Sequence, residues 1–333
     1  MHFIPVGVAG VGRLGQLHAR LYREVEGAKL VGVYDTDTAR AQALAGEIGV
    51  RCFTSYEDLL DGTEAVNIVA PTSSHFELAK KALEANKHIF IEKPITATVQ
   101  EANQLIALAT LHQRILQVGH IERFNAALRA LENFSLTPRF IESHRLASFD
   151  PRGTDVAVVL DLMIHDIDII LSLVKSPLAR IDASGVAIVS EEPDIANVRL
   201  QFANGCVANV TASRISQKKM RKMRIFQRDA YISIDFLQGL TEVFRLVAPE
   251  ETMKPGSFPV VLGKLDQGAR QRHIVYEKLQ APEGNALKME LASFINAIRT
   301  GTPPPVTGED GRRALEVATT ITEVIKKNTP ENY

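Results

Sequence analysis

Apolar residues in the first third of the chain fall in short runs, at 3–8, 29–34, 65–70, 88–91 and 115–118. These runs have strand length and predict five β-strands. The stretches between them predict helices, notably over 13–26, 37–48, 75–86 and 98–112. Strands alternating with helices imply parallel β-α-β units, hence a doubly wound α/β sheet with helices on both faces. Ligands of such sheets bind beyond the carboxyl ends of the strands. Two of those ends carry reactive residues, Ala70-Pro71-Thr72-Ser73-Ser74-His75 and Glu92-Lys93-Pro94.

After residue 120 the rhythm changes, and strands are predicted at 139–148, 181–189, 196–203, 206–213, 224–234 and 241–247. Asn204-Gly205 between two of them is a hairpin signal, since both residues tolerate positive φ. A long helix over about 155–174 precedes most of this group, and helices over about 287–299 and 309–327 follow it. Residues 248–258 and Thr302-Pro303-Pro304-Pro305 read as loops. The pattern predicts two domains, a doubly wound one over 1–122 and a second over 123–333 built on a mostly antiparallel open sheet.

Composition narrows the partners. A formal net charge of −1 offers no global attraction for nucleic acid or an anionic membrane. No apolar run reaches the ~18 residues of a membrane span. The two cysteines, Cys52 and Cys206, stand far apart, which fits a reducing cytoplasm and argues against a disulfide framework or a zinc site.

The first apolar run flows into Gly10-Val11-Gly12-Arg13-Leu14-Gly15, and Asp35 closes the second run, Leu30–Tyr34, twenty residues past the third glycine. This is the dinucleotide fingerprint in its strand–turn–helix–strand setting. Gly10 permits the tight turn, Gly12 lets the backbone approach a pyrophosphate, and Gly15 lets helix and strand pack closely. The following helix presents free N–H groups and a positive dipole end to phosphate. Asp35 would accept from a ribose 2′-hydroxyl and repel a 2′-phosphate, favouring NAD over NADP.

Four further groups could carry chemistry. Asp161, His165 and Asp168 stand at i, i+4 and i+7 of the apolar helix and so share a face. A carboxylate one turn from a histidine can orient the ring as a general base, or the three can form a satisfied polar seam. A two-ligand metal face is disfavoured, because no glutamate follows the histidine as in H-E-x-x-H. Lys93, at a strand end, points where a cofactor would lie and could stabilise a developing alkoxide. His75 either lines the nicotinamide side or packs the start of a helix. His120 and Arg123-Phe124-Asn125 fall at the expected hinge, where Arg123 either binds an anionic substrate group or forms a salt bridge. The basic run Lys218, Lys219, Arg221, Lys222 and Arg224 lacks interleaved aromatics and reads most simply as a solvated hairpin, with a nucleotide diphosphate contact as the alternative.

Taken together, the glycine turn with His18, Ala70-Pro71-Thr72 with His75, Glu92-Lys93-Pro94 and Asp161-x-x-x-His165-x-x-Asp168 resemble the glucose–fructose oxidoreductase, inositol dehydrogenase and MocA family. The resemblance implies a Rossmann domain, a second domain whose open sheet forms the interface of a homodimer or homotetramer, and a tightly held NAD(P). It implies cofactor contacts at Gly10, Gly12, Arg13, Leu14, Asp35 and Arg40, and at Ala70, Thr72, His75, Glu92 and Lys93. It makes Lys93, Asp161 and His165 the catalytic group. Arg123, Asn125 and Arg152, with Asp161 and His165, become substrate contacts, and no metal is implied. Met163 departs from the family's usual glycine in D-x-G-x-H, and Ala126 from the proline often found after R-F-N. Gly119–Asn125, Arg152-Gly153-Thr154-Asp155 and Met163–Asp168 more narrowly resemble members that oxidise the 3-hydroxyl of UDP-N-acetylglucosamine. Inositol or free-sugar dehydrogenases of the same family, and a non-catalytic NAD-binding regulator, are the alternatives.

Overall fold

The computed structural model describes residues 3–150, 156–248, 260–267, 270–280 and 284–328. The chain divides into two compact units, Met1–Phe124 with Gly284–Glu316, and Asn125–Glu283 with Val317–Tyr333.

The first unit begins β1 (Ile4–Ala9), α1 (Arg13–Tyr22), β2 (Ala28–Tyr34), α2 (Thr38–Ile48), β3 (Arg51–Cys52) and α3 (Tyr56–Asp61). It continues β4 (Ala65–Ile68), α4 (Thr72–Glu84), β5 (His88–Glu92), α5 (Val99–Leu111) and β6 (Leu116–Gly119). The six strands lie in the order β3-β2-β1-β4-β5-β6, all parallel, so the winding reverses between β1 and β4. Every residue of β4, β5 and β6 is buried, as parallel strands covered on both faces require. Side chains close most helix starts: Asp37 caps α2, Ser55 caps α3, and Thr98 with Glu101 forms a capping box on α5. By contrast, α1 starts on Gly12 without any side-chain cap.

The second unit contains α6 (Ala126–Arg129), β7 (Phe140–Leu146), a π-helical turn over Val159–Met163 and α7 (Ile164–Leu173). Then come β8 (Leu178–Val186), β9 (Ile195–Phe202), β10 (Val207–Ser213), β11 (Met220–Phe226) and β12 (Ala230–Asp235). The last strands are β13 (Leu240–Val247), β14 (Val260–Gln267) and β15 (Arg270–Leu279). Together they form one nine-stranded sheet, β14-β15-β13-β12-β11-β7-β10-β9-β8. Its β7–β10 pairing is parallel and the others are antiparallel.

Burial alternates along the central strands, as a half-covered sheet requires. On the covered face, Ser143 Oγ donates to Asp166 Oδ1 of α7 at 2.9 Å, and Arg145 Nε donates to Asp166 Oδ2 at 2.6 Å. On the other face, Phe140, Phe226, Tyr231, Phe244 and Tyr276 form a ladder across five neighbouring strands. Successive ring centroids are 5.6, 5.0, 5.5 and 4.9 Å apart, and each ring is only half-buried.

Two helices close the chain, α8 (Ala286–Thr300) and α9 (Gly308–Asn328). The sequence assigned α8 to the second domain, but it packs in the first unit. There Phe294 meets Phe90 edge-on at 5.9 Å, and Gln117 Nε2 donates to Glu290 O at 3.1 Å. An amphipathic pattern marks a buried face without saying what covers it.

Other differences are local. The expected strand over 224–234 is the hairpin β11–β12, whose turn at Gln227-Arg228-Asp229 carries no glycine or proline to mark it. The short β3 and α3 and the β14–β15 hairpin fall outside the elements the pattern predicts. The Asn204-Gly205 hairpin is present, with Gly205 at φ +81. The expected continuous helix over about 155–174 is a π-helical turn followed by α7, the Ile164 N–H reaching back to Val159 O. Asp155 and the loop at 249–258 lie outside the described residues. No helix among the described residues is long and apolar enough to cross a membrane.

Candidate active site

The glycine turn of the first unit is built by steric necessity. Gly10 has φ +90, and a Cβ there would lie 2.6 Å from Val69 O. A Cβ on Gly15 would lie 1.9 Å from Gly10 O, so only glycine lets α1 approach β1 this closely. A Cβ on Gly12 would meet nothing within 4 Å. Gly12 therefore borders open space at the uncapped start of α1, where its free N–H groups can receive a pyrophosphate. Arg13 and Leu14 are exposed at the same helix start.

Asp35, at the end of β2, is buried and closes this turn. Its Oδ2 accepts from Val11 N at 2.7 Å and its Oδ1 from Asp37 N at 2.8 Å. A carboxylate offers about four acceptor positions, so capacity for a ribose hydroxyl remains. Arg40 Nη1 stands 3.7 Å from Asp35 Oδ2, while Arg40 Nη2 is 2.8 Å from Asp37 Oδ2. The open cradle at Gly12, the free helix start and the acidic strand end fit NAD.

The ends of β4 and β5 supply the next residues. Ala70 and Thr72 are half-buried at the start of α4, and Lys93 is half-buried just past β5. Glu92 is buried and points inward. Its Oε1 lies 3.3 Å from Nε2 of the fully buried His18, whose Nδ1 is 2.8 Å from Asn67 Nδ2. Glu92 Oε2 accepts from the Lys93 N–H at 3.2 Å. A Cβ on Gly119 would come within 2.7 Å of Glu92 Oε1, so β6 keeps a glycine beside this carboxylate. Glu92 thus accepts from the main chain of Lys93.

His75 was expected to reach the cofactor or to pack a helix start. It is only 1% exposed, and both ring nitrogens face main-chain carbonyls. Nδ1 is 2.9 Å from Pro94 O and Nε2 is 2.9 Å from Ala70 O. Burial holds this ring below the usual histidine range, against the opposing pull of the Pro94 and Ala70 carbonyls and of the Glu92 charge.

In the second unit, Asp161 sits within the π-helical turn and His165 is the second residue of α7, both half-buried. Wide turns of this kind occur often at functional sites. The expected three-residue stripe divides, because Asp168 is buried while Asp161 and His165 retain exposure. Asp166, not singled out from the sequence, anchors α7 through Arg145 and Ser143.

The start of the π-helical turn is also pinned. Pro193 O accepts from Val158 N at 3.0 Å, and Arg214 Nη2 donates to Val156 O. Arg214 Nε in turn lies 3.8 Å from Oδ1 of the buried Asp194. No periodic signal marks Arg214 or Asp194.

Two expected substrate contacts have structural partners. Asn125 caps α6 by accepting from Ala127 N at 3.0 Å, and its Nδ2 donates to Phe236 O at 3.1 Å. Arg123 Nη2 is 3.9 Å from Asp310 Oδ1 within the first unit. His120 is buried. Arg152 lies outside the described residues, as do Gly153 and Thr154. In the basic run, Lys222 pairs with Asp235 and Arg224 with Glu142, while Lys218 and Lys219 are exposed. Among the described residues, no group of three or more His, Cys, Asp or Glu side chains could hold a metal ion.

Known proteins resemble this chain along nearly its whole length. Residues 4–120 match the oxidoreductase family with an NAD-binding Rossmann fold, and residues 128–233 match the GFO/IDH/MocA C-terminal domain. The UDP-N-acetylglucosamine 3-dehydrogenase of Acidithiobacillus ferrooxidans is 38% identical over 319 residues, 96% of each chain. A solved structure of that enzyme superposes with a TM-score of 0.86 at 35% identity, covering 98% of this chain and 99% of the other. The myo-inositol 2-dehydrogenase of Thermotoga maritima is 27% identical, over 93% of this chain and 92% of its own. This chain belongs to the GFO/IDH/MocA family of NAD-dependent oxidoreductases.

Proposed function

We propose that this enzyme oxidises a secondary hydroxyl of a UDP-sugar, the 3-hydroxyl of UDP-N-acetylglucosamine, to a ketone. The observation that carries the substrate is the 38% identity, over 96% of both chains, to a dehydrogenase of that compound. The inositol dehydrogenases are more distant, at 28% identity or below where the match spans most of both chains.

NAD+, when bound, supplies the hydride acceptor. His165, oriented by Asp161, takes the hydroxyl proton, and Lys93 stabilises alkoxide character as the hydride leaves. The reverse assignment, with Lys93 as the base, uses the same residues. The test follows NADH formation from UDP-N-acetylglucosamine, with an aminotransferase and an amino donor drawing off the ketone. Turnover confined to inositol or free sugars, with no binding of UDP, would move the enzyme to the inositol branch. NAD binding without oxidation of any sugar would make it a regulator. If Lys93→Met and His165→Ala both kept wild-type turnover, the catalytic assignment would be wrong.

The same reading makes the enzyme cytoplasmic, in keeping with two free cysteines. It also makes it a homo-oligomer through the open face of the nine-stranded sheet. The half-buried aromatic ladder supports that arrangement, because aromatic rings are enriched at interface cores. Sedimentation of Tyr231→Glu beside the wild type tests it, with an unchanged mass for the variant counting against this interface.

A further inference from the structure

Lys93 owes its proposed role to where its main chain is held, and that hold has two sides. On the N-terminal side Glu92, backed by His18, accepts from the Lys93 N–H. On the C-terminal side the ring of His75, borne on α4, lies 2.9 Å from Pro94 O. The second ring nitrogen reaches Ala70 O at the end of β4. The ring therefore stands between two main-chain carbonyls, one on each turn.

A neutral imidazole carries a single N–H. Burial favours the neutral ring, so one nitrogen donates while the other faces a carbonyl. The consequences of the two choices differ. A proton on Nε2 would fix the Ala70 turn, which Lys93 does not share. A proton on Nδ1 fixes Pro94, the residue bonded to Lys93.

We propose that His75 is a positioning residue for Lys93, donating from Nδ1 to Pro94 O and so holding the Pro94–Ile95 peptide, which follows directly after the lysine. This inference rests on Lys93 being catalytic, as proposed above. It does not require His75 to touch cofactor or substrate.

Amide side chains separate the two bonds. Asn places its NH2 near the position of Nδ1, and Gln places its NH2 near that of Nε2. His75→Asn should hold kcat for UDP-N-acetylglucosamine within about threefold of wild type, while His75→Gln and His75→Leu should lose about tenfold or more. The affinity for NAD should change little in all three. A role in folding alone would make activity follow the melting temperature and would not distinguish Asn from Gln.

A second readout needs no turnover. In the NAD-loaded protein, the rate at which a small acylating reagent modifies the Lys93 amine can be followed by peptide mass spectrometry. That rate should match wild type in His75→Asn and shift in His75→Gln and His75→Leu. Equal rates in the Asn and Gln variants would overturn the proposal, whether or not any sugar is oxidised. If instead Lys93→Met kept full turnover while the acylation rates separated as expected, the catalytic reading would fail and the positioning of Lys93 would stand.

Discussion

Val11 donates its N–H to Asp35 Oδ2 at 2.7 Å, so the glycine turn and the acidic end of β2 form one hydrogen-bonded piece. Residues 24 positions apart in the chain are thereby joined at the turn. A change at Asp35 cannot alter the choice of cofactor without also loosening the turn.

For Asp35→Ala, the expected outcome is a fall in NAD affinity of about tenfold or more, equivalent to about 1.4 kcal/mol. Loss of the charge should also narrow the preference for NAD over NADP. Titration calorimetry with both cofactors checks this. Unchanged NAD affinity would mean that the Val11–Asp35 bond does not hold the turn.

Gly119→Ala gives a selective way to move Glu92. The new methyl would lie 2.7 Å from Glu92 Oε1. The atom it meets is the end of a side chain, so the fold should survive while the carboxylate leaves His18 and the Lys93 N–H. We expect kcat to drop by at least about tenfold, since displacements on the order of 1 Å are costly in an active site. NAD affinity should stay near wild type. Full turnover would show that the position of Glu92 does not matter to Lys93.

Asp166→Ala should destabilise the second unit strongly. It leaves Arg145, which is 2% exposed, without the carboxylate that receives its Nε. Removing one partner of a buried pair costs about 3–5 kcal/mol. Urea denaturation checks this, and an unchanged midpoint would rule out the pair as the anchor of α7.

The carboxyl of Asp194 makes acid stability the fourth expectation. Burial alone would raise it, but hydrogen bonds from Ser190 Oγ and the N–H groups of Val189, Ile188 and Ser190 bring it down to about 2 from 3.8. A depressed carboxylate stabilises the fold above its unfolded value and loses that contribution as pH falls through the folded value. Stability on the order of 2 kcal/mol should therefore disappear between about pH 4 and pH 2. Asp194→Asn should flatten that part of the stability profile. A profile identical to wild type would show that this carboxylate does not set the acid limb.

Much of the first unit was legible because its signals are local. A glycine forced by a backbone clash and a strand buried on both faces each leave a mark within a few residues. The π-helical turn leaves none. Its segment is apolar nearly all round, so the period that would separate an i−5 from an i−4 bond is absent. His75 shows a different limit, because its partners, Ala70 O and Pro94 O, are main-chain atoms that every residue possesses. Asn125 shows a related limit: a helix cap and a substrate contact draw on the same amide. The placement of α8 depends on Phe90 and Gln117, both far away in the chain.

That placement bears on how the protein is made. The nucleotide-binding unit is drawn from two separated stretches, with residues 125–283 between them. On the ribosome, the strands that carry the glycine turn and Lys93 emerge long before α8 arrives. Until then Phe90 lacks the contact that Phe294 makes. The whole intervening stretch, residues 125–283, must be synthesised before the first-begun unit can complete its core, so the earliest part of the chain to appear is completed late.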